Sequence, residues 1–253
     1  VKFNQVAAVA NTTLLQIAIL GLVVPTLMES IGQMTVADQV DLLLSRSIAS
    51  SFLILYLFYV YFQLFTHRAL FDDQKAERER AAAAARGEDD DDDQLEEVLL
   101  SLNGGIAWLA VATVLIAVLS EALTGAIDEA ATSFGLSETF VGFVIIPIVG
   151  NAAEHSTAIT MAAKGKMDLS FGVALGSSTQ IALFVIPLLV LLGWAIDQPL
   201  DLYFGVYETT ITFLSTHIVS QVVADGETNW LEGVMLLFSY FIICLSFGFY
   251  HKA

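Results

Sequence analysis

The chain has 253 residues, of which 56% are hydrophobic and only 15% charged, and its mean hydropathy is +0.72. Soluble domains carry nearer a quarter charged residues, so the composition excludes a soluble domain; much of the net charge of −17 sits in one segment, Glu88 to Glu97, and nucleic acid is not expected as a partner. The single cysteine, Cys244, excludes an internal disulfide and a multi-cysteine metal site.

About 20 apolar residues cross the hydrocarbon core of a bilayer as a helix. Seven segments reach that length: 5–28, 46–66, 103–127, 138–163, 170–195, 203–223 and 230–250. An open sheet edge does not survive in lipid, so the expected fold is all-α, a polytopic membrane protein with seven transmembrane helices. The first two segments fill 1–70 and end a first half. Residues 71–102 differ in composition and are expected to form a cytosolic acidic linker. It holds Asp72, Asp73, Glu77 and Glu79 on an alanine-rich helix, then Asp89, Asp90, Asp91, Asp92, Asp93, Glu96 and Glu97. Residues 103–253 carry the other five segments as a second half.

Orientation follows from lysine and arginine. With the linker in the cytosol, eight of the ten basic residues fall inside, Lys2, Lys164 and Lys166 among them, and only Arg46 and Lys252 fall outside. Segments one and six, with Asn11-Thr-Thr13 and Glu208-Thr-Thr210, then enter from opposite sides. That is an inverted pairing, as in secondary transporters.

The fourth segment carries the most informative stretch, Gly150-Asn-Ala-Ala-Glu-His155. A charge at membrane depth is expensive unless it faces a cavity or binds something, so Glu154 is expected to serve an ion or proton pathway. Pro147, Asn151, Glu154 and His155 have the spacing of one helical face. Segment five follows after the short Lys164–Asp168 connection, with Gly176-Ser-Ser-Thr-Gln180 and then Pro187. Prolines and glycines here predict helix breaks whose freed carbonyls line a cavity. A carboxylate, an amide and hydroxyls converging at mid-membrane suit a hard cation such as Ca²⁺, and a lone carboxylate also binds a proton. Glu121 in segment three lies deep enough to line the same pathway, and Glu208 is a candidate for an exit path. No nucleophile–base pair or di-aspartate signature points to an intramembrane enzyme.

Gly150-Asn-Ala-Ala-Glu-His155, Lys166-Met-Asp-Leu169, Gly176-Ser-Ser-Thr-Gln180, Ala182-Leu-Phe-Val-Ile-Pro187 and Gly193-Trp194 resemble the second signature repeat of the calcium/proton exchangers, the CAX family of the cation/calcium exchanger superfamily. Phe3-Asn-Gln5 and Tyr61-Phe-Gln-Leu64 with Thr66-His67 resemble that family's fifth and sixth helices, and 71–97 its cytosolic acidic helix. The resemblance covers the chain as helices five to eleven of an inverted-repeat fold and suits a fungal vacuolar member. It implies that helices one to four precede Val1 and supply a second glutamate opposite Glu154. It implies an antiporter exchanging cytosolic Ca²⁺ for lumenal H⁺ across the vacuolar membrane, with Ca²⁺ (Mn²⁺ as a possible second ion) as substrate and no prosthetic group. Carried onto this sequence, Glu154 is the metal and proton carboxylate. Asn151, Ser178 and Gln180 are polar or water-mediated ligands, and His155 is a pathway or gate residue. Two other readings stand beside it: a sodium-coupled exchanger of the same superfamily, and a non-transporting membrane Ca²⁺ sensor acting through the acidic linker.

Overall fold

The computed structural model describes residues 1–32, 39–68 and 101–250. Among the described residues every named element is helical, and the one bridged pair of extended residues is Lys2 with Glu227. The helices are α1 (Gln5–Ser30), α2 (Gln39–Tyr61), α3 (Leu102–Phe134), α4 (Glu138–Phe140), α5 (Ile146–Gly150), α6 (Ala152–Ala163), α7 (Met167–Gln180), α8 (Ile186–Ala195), α9 (Val206–Val222) and α10 (Trp230–Phe249). Single π-helical turns occupy Phe62–Thr66, Val141–Ile145 and Ile181–Val185.

Five stretches are long and apolar enough to cross a membrane: Gln5–Ser30, Asp41–Thr66, Leu102–Ile127, Met167–Ala195 and Trp230–Phe249. The other two expected segments differ in form. The sixth is α9, 17 residues long, and the fourth is divided at Asn151.

Segments four and five solve the same local problem at Pro147 and Pro187, and only one of them breaks. Proline has no N–H and its ring collides with the carbonyl four residues back. A π-turn adds a residue and relieves that collision. Ile146 N–H donates to Val141 O and Ile186 N–H to Ile181 O, each five residues back, immediately before Pro147 and Pro187. Segment five therefore stays helical through Pro187, against the expected break. Segment four breaks beyond Pro147, at Gly150-Asn151.

The chain forms two compact units, Val1–Asp72 with Asn151–Ile243, and Asp73–Gly150 with Cys244–Ala253. In the second unit the Phe143 and Phe247 rings stack at 4.8 Å. There, α3 turns apolar side chains outward along its length, Leu109, Leu115 and Leu119 among them. A helix apolar all round suits a lipid environment.

In the first unit α1 packs against α9, α7 and α2, while α8 packs on α2 and α6 on α7. Lipid is as apolar as leucine, so close packing and polar contacts hold such helices together. Gly21 allows the Phe52 ring and Ile48 of α2 to press against the α1 backbone, leaving no room for a Cβ. Ala18, Phe52 and Leu183 form one buried cluster, Ala49, Val190 and Leu202 a second, and Ala8, Leu175 and Val223 a third.

Polar contacts pin both ends of this unit. At one end Phe3 N–H donates to Gly226 O at 3.0 Å, Gln5 Nε2 to Ala224 O at 2.6 Å, and the Phe3 ring packs against Phe171 at 4.4 Å, tilted by 45°. At the other, Thr26 and Thr209 hydroxyls meet at 3.3 Å, and Leu202 N–H donates to Ser45 Oγ at 3.1 Å. The start of α1 thus lies beside the end of α9, and its end beside the start of α9. The two run antiparallel, the arrangement expected of segments one and six.

Candidate functional site

Asn151 leaves the helical region, at φ −103° and ψ 21°, and its side chain does not cap α6. The amide is therefore not committed to the helix that follows it. His155 N–H donates to Asn151 O at 2.9 Å, which opens the first turn of α6. Glu154 sits in that turn. A helix N-terminus carries unsatisfied N–H groups and partial positive charge, and both favour a carboxylate there. Glu154 is half-buried, and Asn151 and His155 are exposed. The break also corrects one expectation: Pro147 belongs to α5, so it does not share a continuous helical face with Asn151, Glu154 and His155.

Gly165, at φ +73°, closes the tight connection from α6 to α7. Lys166 N–H donates to Met161 O at 2.9 Å across the connection. Glu154 lies nine residues before Ala163, and Gly176 lies nine after Met167. At 1.5 Å per residue each is about 13 Å from its end of the connection. Two antiparallel neighbours thereby bring Glu154 level with Gly176–Gln180, the second polar stretch of the sequence.

On α7, Thr179 is fully buried and faces α1, donating to Leu175 O at 2.8 Å and Asn11 O at 3.3 Å. Ser178 and Gln180, both exposed, lie on the two flanks of Thr179, about 160° apart around the helix. Ser177, not Ser178, shares the flank of Gln180. Ser178 Oγ donates to Ala174 O at 2.9 Å, which leaves its lone pairs free to accept. Gly172, Gly176 and Gln180 follow one another at intervals of four, and neither glycine has a neighbour within 4 Å of an added Cβ. That line of α7 borders open space.

Behind the polar stretch lies a buried network that the sequence did not announce. Tyr59 hydroxyl donates to Asn11 Oδ1 at 2.8 Å, Asn11 Nδ2 donates to Ala7 O at 3.0 Å, and Asn11 O accepts from Thr179. Asn11 joins α1, α2 and α7 at one level and fixes α7 next to Ser178 and Gln180. In sequence Asn11-Thr-Thr13 reads only as a mark of the inverted pairing, and Tyr59 as one more residue of an apolar span. The available signal was an amide in the middle of an apolar span.

Glu121 is exposed on α3, in the second unit. Glu208 is buried in the first turn of α9, its carboxylate folded over Gly205, whose φ of +90° leaves no place for a side chain. The acidic linker residues Asp72, Asp73, Glu77, Glu79, Asp89–Asp93, Glu96 and Glu97 lie outside the described residues. Among the described residues no three side chains of His, Cys, Asp or Glu gather closely enough to hold a metal ion. Glu154 is thus a single carboxylate with neutral oxygen donors at its level, rather than part of a closed carboxylate cage.

The fold and this site define a helical membrane protein with a carboxylate at a helix break. Known proteins make the class specific. The profile of the sodium/calcium exchanger protein family matches residues 104–249. The vacuolar calcium ion transporter of Schizosaccharomyces pombe is 40% identical over 98% of this chain and 57% of its own length. The Ca(2+)/H(+) antiporter of Synechocystis is 39% identical over 98% of this chain and 67% of its own length. Vacuolar cation/proton exchanger 1 of Arabidopsis thaliana is 39% identical over 97% of this chain and 52% of its own. The solved structure of native YfkE superposes with a TM-score of 0.74 at 31% identity, covering 98% of this chain and 65% of that one. The chain belongs to the sodium/calcium exchanger protein family. Within it, it stands with the calcium/proton exchangers, as an integral membrane protein of the vacuolar type. It spans between half and two-thirds of the length of these relatives.

Proposed function

We propose that the protein is a secondary antiporter that moves cytosolic Ca²⁺ across the vacuolar membrane in exchange for lumenal protons, with Glu154 as the carboxylate that both ions share. The observation that carries this is the break at Asn151. It sets Glu154 in the first turn of a helix, level with the hydroxyl- and amide-bearing stretch of the antiparallel neighbour. Deprotonated, Glu154 offers a hard oxygen to a hard cation, with Asn151 as a neutral donor and one flank of α7, carrying either Ser178 or Gln180, as a further polar or water-mediated donor. Protonated, it has no charge to hold the metal, and the cation leaves. His155, next in sequence, would relay a proton as a pathway residue. The same oxygen donors suit Mn²⁺, so Mn²⁺ competes. A second carboxylate opposite Glu154, which the resemblance to the calcium/proton exchangers implies, would complete the site.

Glu154→Gln keeps shape and hydrogen bonding and removes the charge. Expressed with the whole protein in vesicles carrying a pH gradient, it should reduce Ca²⁺ uptake to background; uptake near the wild-type rate would refute the assignment. The family's description favours one other reading, sodium-coupled exchange. Uptake that follows a Na⁺ gradient and ignores the pH gradient would select it.

A further inference from the structure

Within Gly176-Ser-Ser-Thr-Gln180 one side chain turns away from open space. Thr179 is fully buried between Ser178 and Gln180, which are both exposed. Its hydroxyl proton is shared between Leu175 O at 2.8 Å, on its own helix, and Asn11 O at 3.3 Å, on α1. A backbone carbonyl has two lone pairs, so Asn11 O takes this donor alongside its helical one. The Asn11 side chain is held in turn by the Tyr59 hydroxyl of α2 and by Ala7 O.

A second contact lies just past Gln180. Phe184, in the π-turn Ile181–Val185, stacks on Tyr56 of α2 at 5.1 Å, and its neighbour Leu183 is fully buried against Ala18 and Phe52. The polar stretch of α7 is thus held from behind on both sides of Gln180. Along the glycine line it is not held, because neither Gly172 nor Gly176 has a neighbour within 4 Å of an added Cβ. The consequence is geometric. A polar atom about 5 Å from the helix axis moves roughly 2 Å when the helix turns by about 20°. Ca²⁺ holds its oxygens within about 2.3–2.6 Å, so that small a rotation of α7 takes a donor away from the ion. The same rotation breaks the bond from Thr179 to Asn11 O, since such a bond fails beyond about 3.5 Å.

We propose that Thr179 is a positioning residue for ion exchange: its bond to Asn11 O sets the rotation of α7 that presents the Ser178 or Gln180 flank at the level of Glu154. This rests on the antiport reading of Glu154. Thr179 differs in kind from its two neighbours. Ser178 and Gln180 are exposed, whereas the Thr179 hydroxyl is spent inward on two carbonyls and does not coordinate the ion. Without that bond α7 turns more freely and holds the cation less well. The carboxylate that releases the ion on protonation is untouched. Binding lost equally in the ground state and the transition state raises KM and leaves kcat unchanged.

The test measures uptake against Ca²⁺ concentration, with the purified whole protein in vesicles carrying a pH gradient. Thr179→Val keeps the branched shape and removes the hydroxyl. It should raise KM for Ca²⁺ about threefold to tenfold, the order expected for one such bond, with kcat per folded protein within about twofold. Thr179→Ser restores the hydroxyl and should bring KM back within about twofold of wild type. Tyr59→Phe loses a bond of the same network that does not reach α7. It should lower the melting temperature and leave KM within about twofold, a split that a merely structural role of Thr179 would not produce. A KM unmoved in Thr179→Val, no recovery in Thr179→Ser, or an equal rise in Tyr59→Phe overturns the proposal, the last because general loosening then accounts for the effect. Should Thr179→Val fail to fold, an unmoved KM in Thr179→Ala overturns it equally. Failure of the antiport reading shows separately, as uptake that persists in Glu154→Gln. A KM unmoved in Thr179→Val beside an inactive Glu154→Gln fails this proposal alone.

Discussion

Asn11 shows how much one residue can determine in a membrane helix. Its side chain and carbonyl meet Tyr59 on α2 and Thr179 on α7, 48 and 168 residues away in sequence. Tyr59→Phe removes one hydroxyl and leaves Asn11 Oδ1 buried without that donor. Interhelical hydrogen bonds of this kind contribute about 0.5–1.5 kcal/mol, so the variant should unfold at a lower temperature in detergent while retaining measurable transport. An unchanged melting temperature would mean that the bond contributes nothing net. Residues of this sort are poorly legible in sequence because their meaning lies in a partner on another helix. Glu154 is legible because its cost is local: a carboxylate inside an apolar run demands an explanation whatever surrounds it. Asp41 lies between these cases. It falls at the end of a span, where an acidic residue reads as solvated, and only the packing of Leu202 and Ser45 shows it buried.

At the scale of helices, the length and apolar character of the spans were readable, and their interruptions only partly so. Pro147 and Pro187 look alike in sequence, and each follows a π-turn. What distinguishes them is what comes next. Leu188-Leu-Val190 continues a helix, whereas Gly150-Asn151 combines a flexible residue with one that readily leaves helical geometry. The break therefore depends on the pair after the proline rather than on the proline. Helix proximity is similarly governed by one position. A Cβ at Gly21 would overlap the Phe52 ring and the Ile48 side chain. Gly21→Val must force α1 from α2 or push Phe52 from its rotamer, at a cost of about 1–3 kcal/mol or more. Circular dichroism melts of the purified variant should show the loss. Gly172→Ala, where an added methyl has no neighbour within 4 Å, should melt within a degree or two of wild type. Equal effects at the two positions would disprove the close crossing of α1 and α2.

For the molecule as a whole, the lysines mark one end of the first unit. Lys2, Lys164 and Lys166 share that end, where Lys2 pairs with Glu227 at 3.3 Å, while Arg46 lies over Trp194 toward the other. The positive-inside tendency then puts the lysine end in the cytosol. With Cys244 changed to serine, a cysteine introduced at Lys166 should react with an impermeant maleimide from the cytosolic side, and one at Gln198 only from the opposite side; the reverse pattern inverts the topology. By the same tendency the acidic linker is expected on the lysine side. Clustered carboxylates repel one another and a divalent cation relieves that repulsion, so we propose weak cation binding there without a fixed cage. Such an anionic segment would raise the local cation concentration, and salt screens the effect over about 10 Å. Changing Asp89–Asp93 together to Asn should therefore raise the cytosolic Ca²⁺ concentration needed for half-maximal transport. The maximal rate should remain measurable, and the difference between variant and wild type should shrink as ionic strength rises. A superimposable titration would reduce the five aspartates to a solvated tail. Complete loss of exchange in a folded variant would place the linker in the transport path itself and favour the sensor reading over an accessory one.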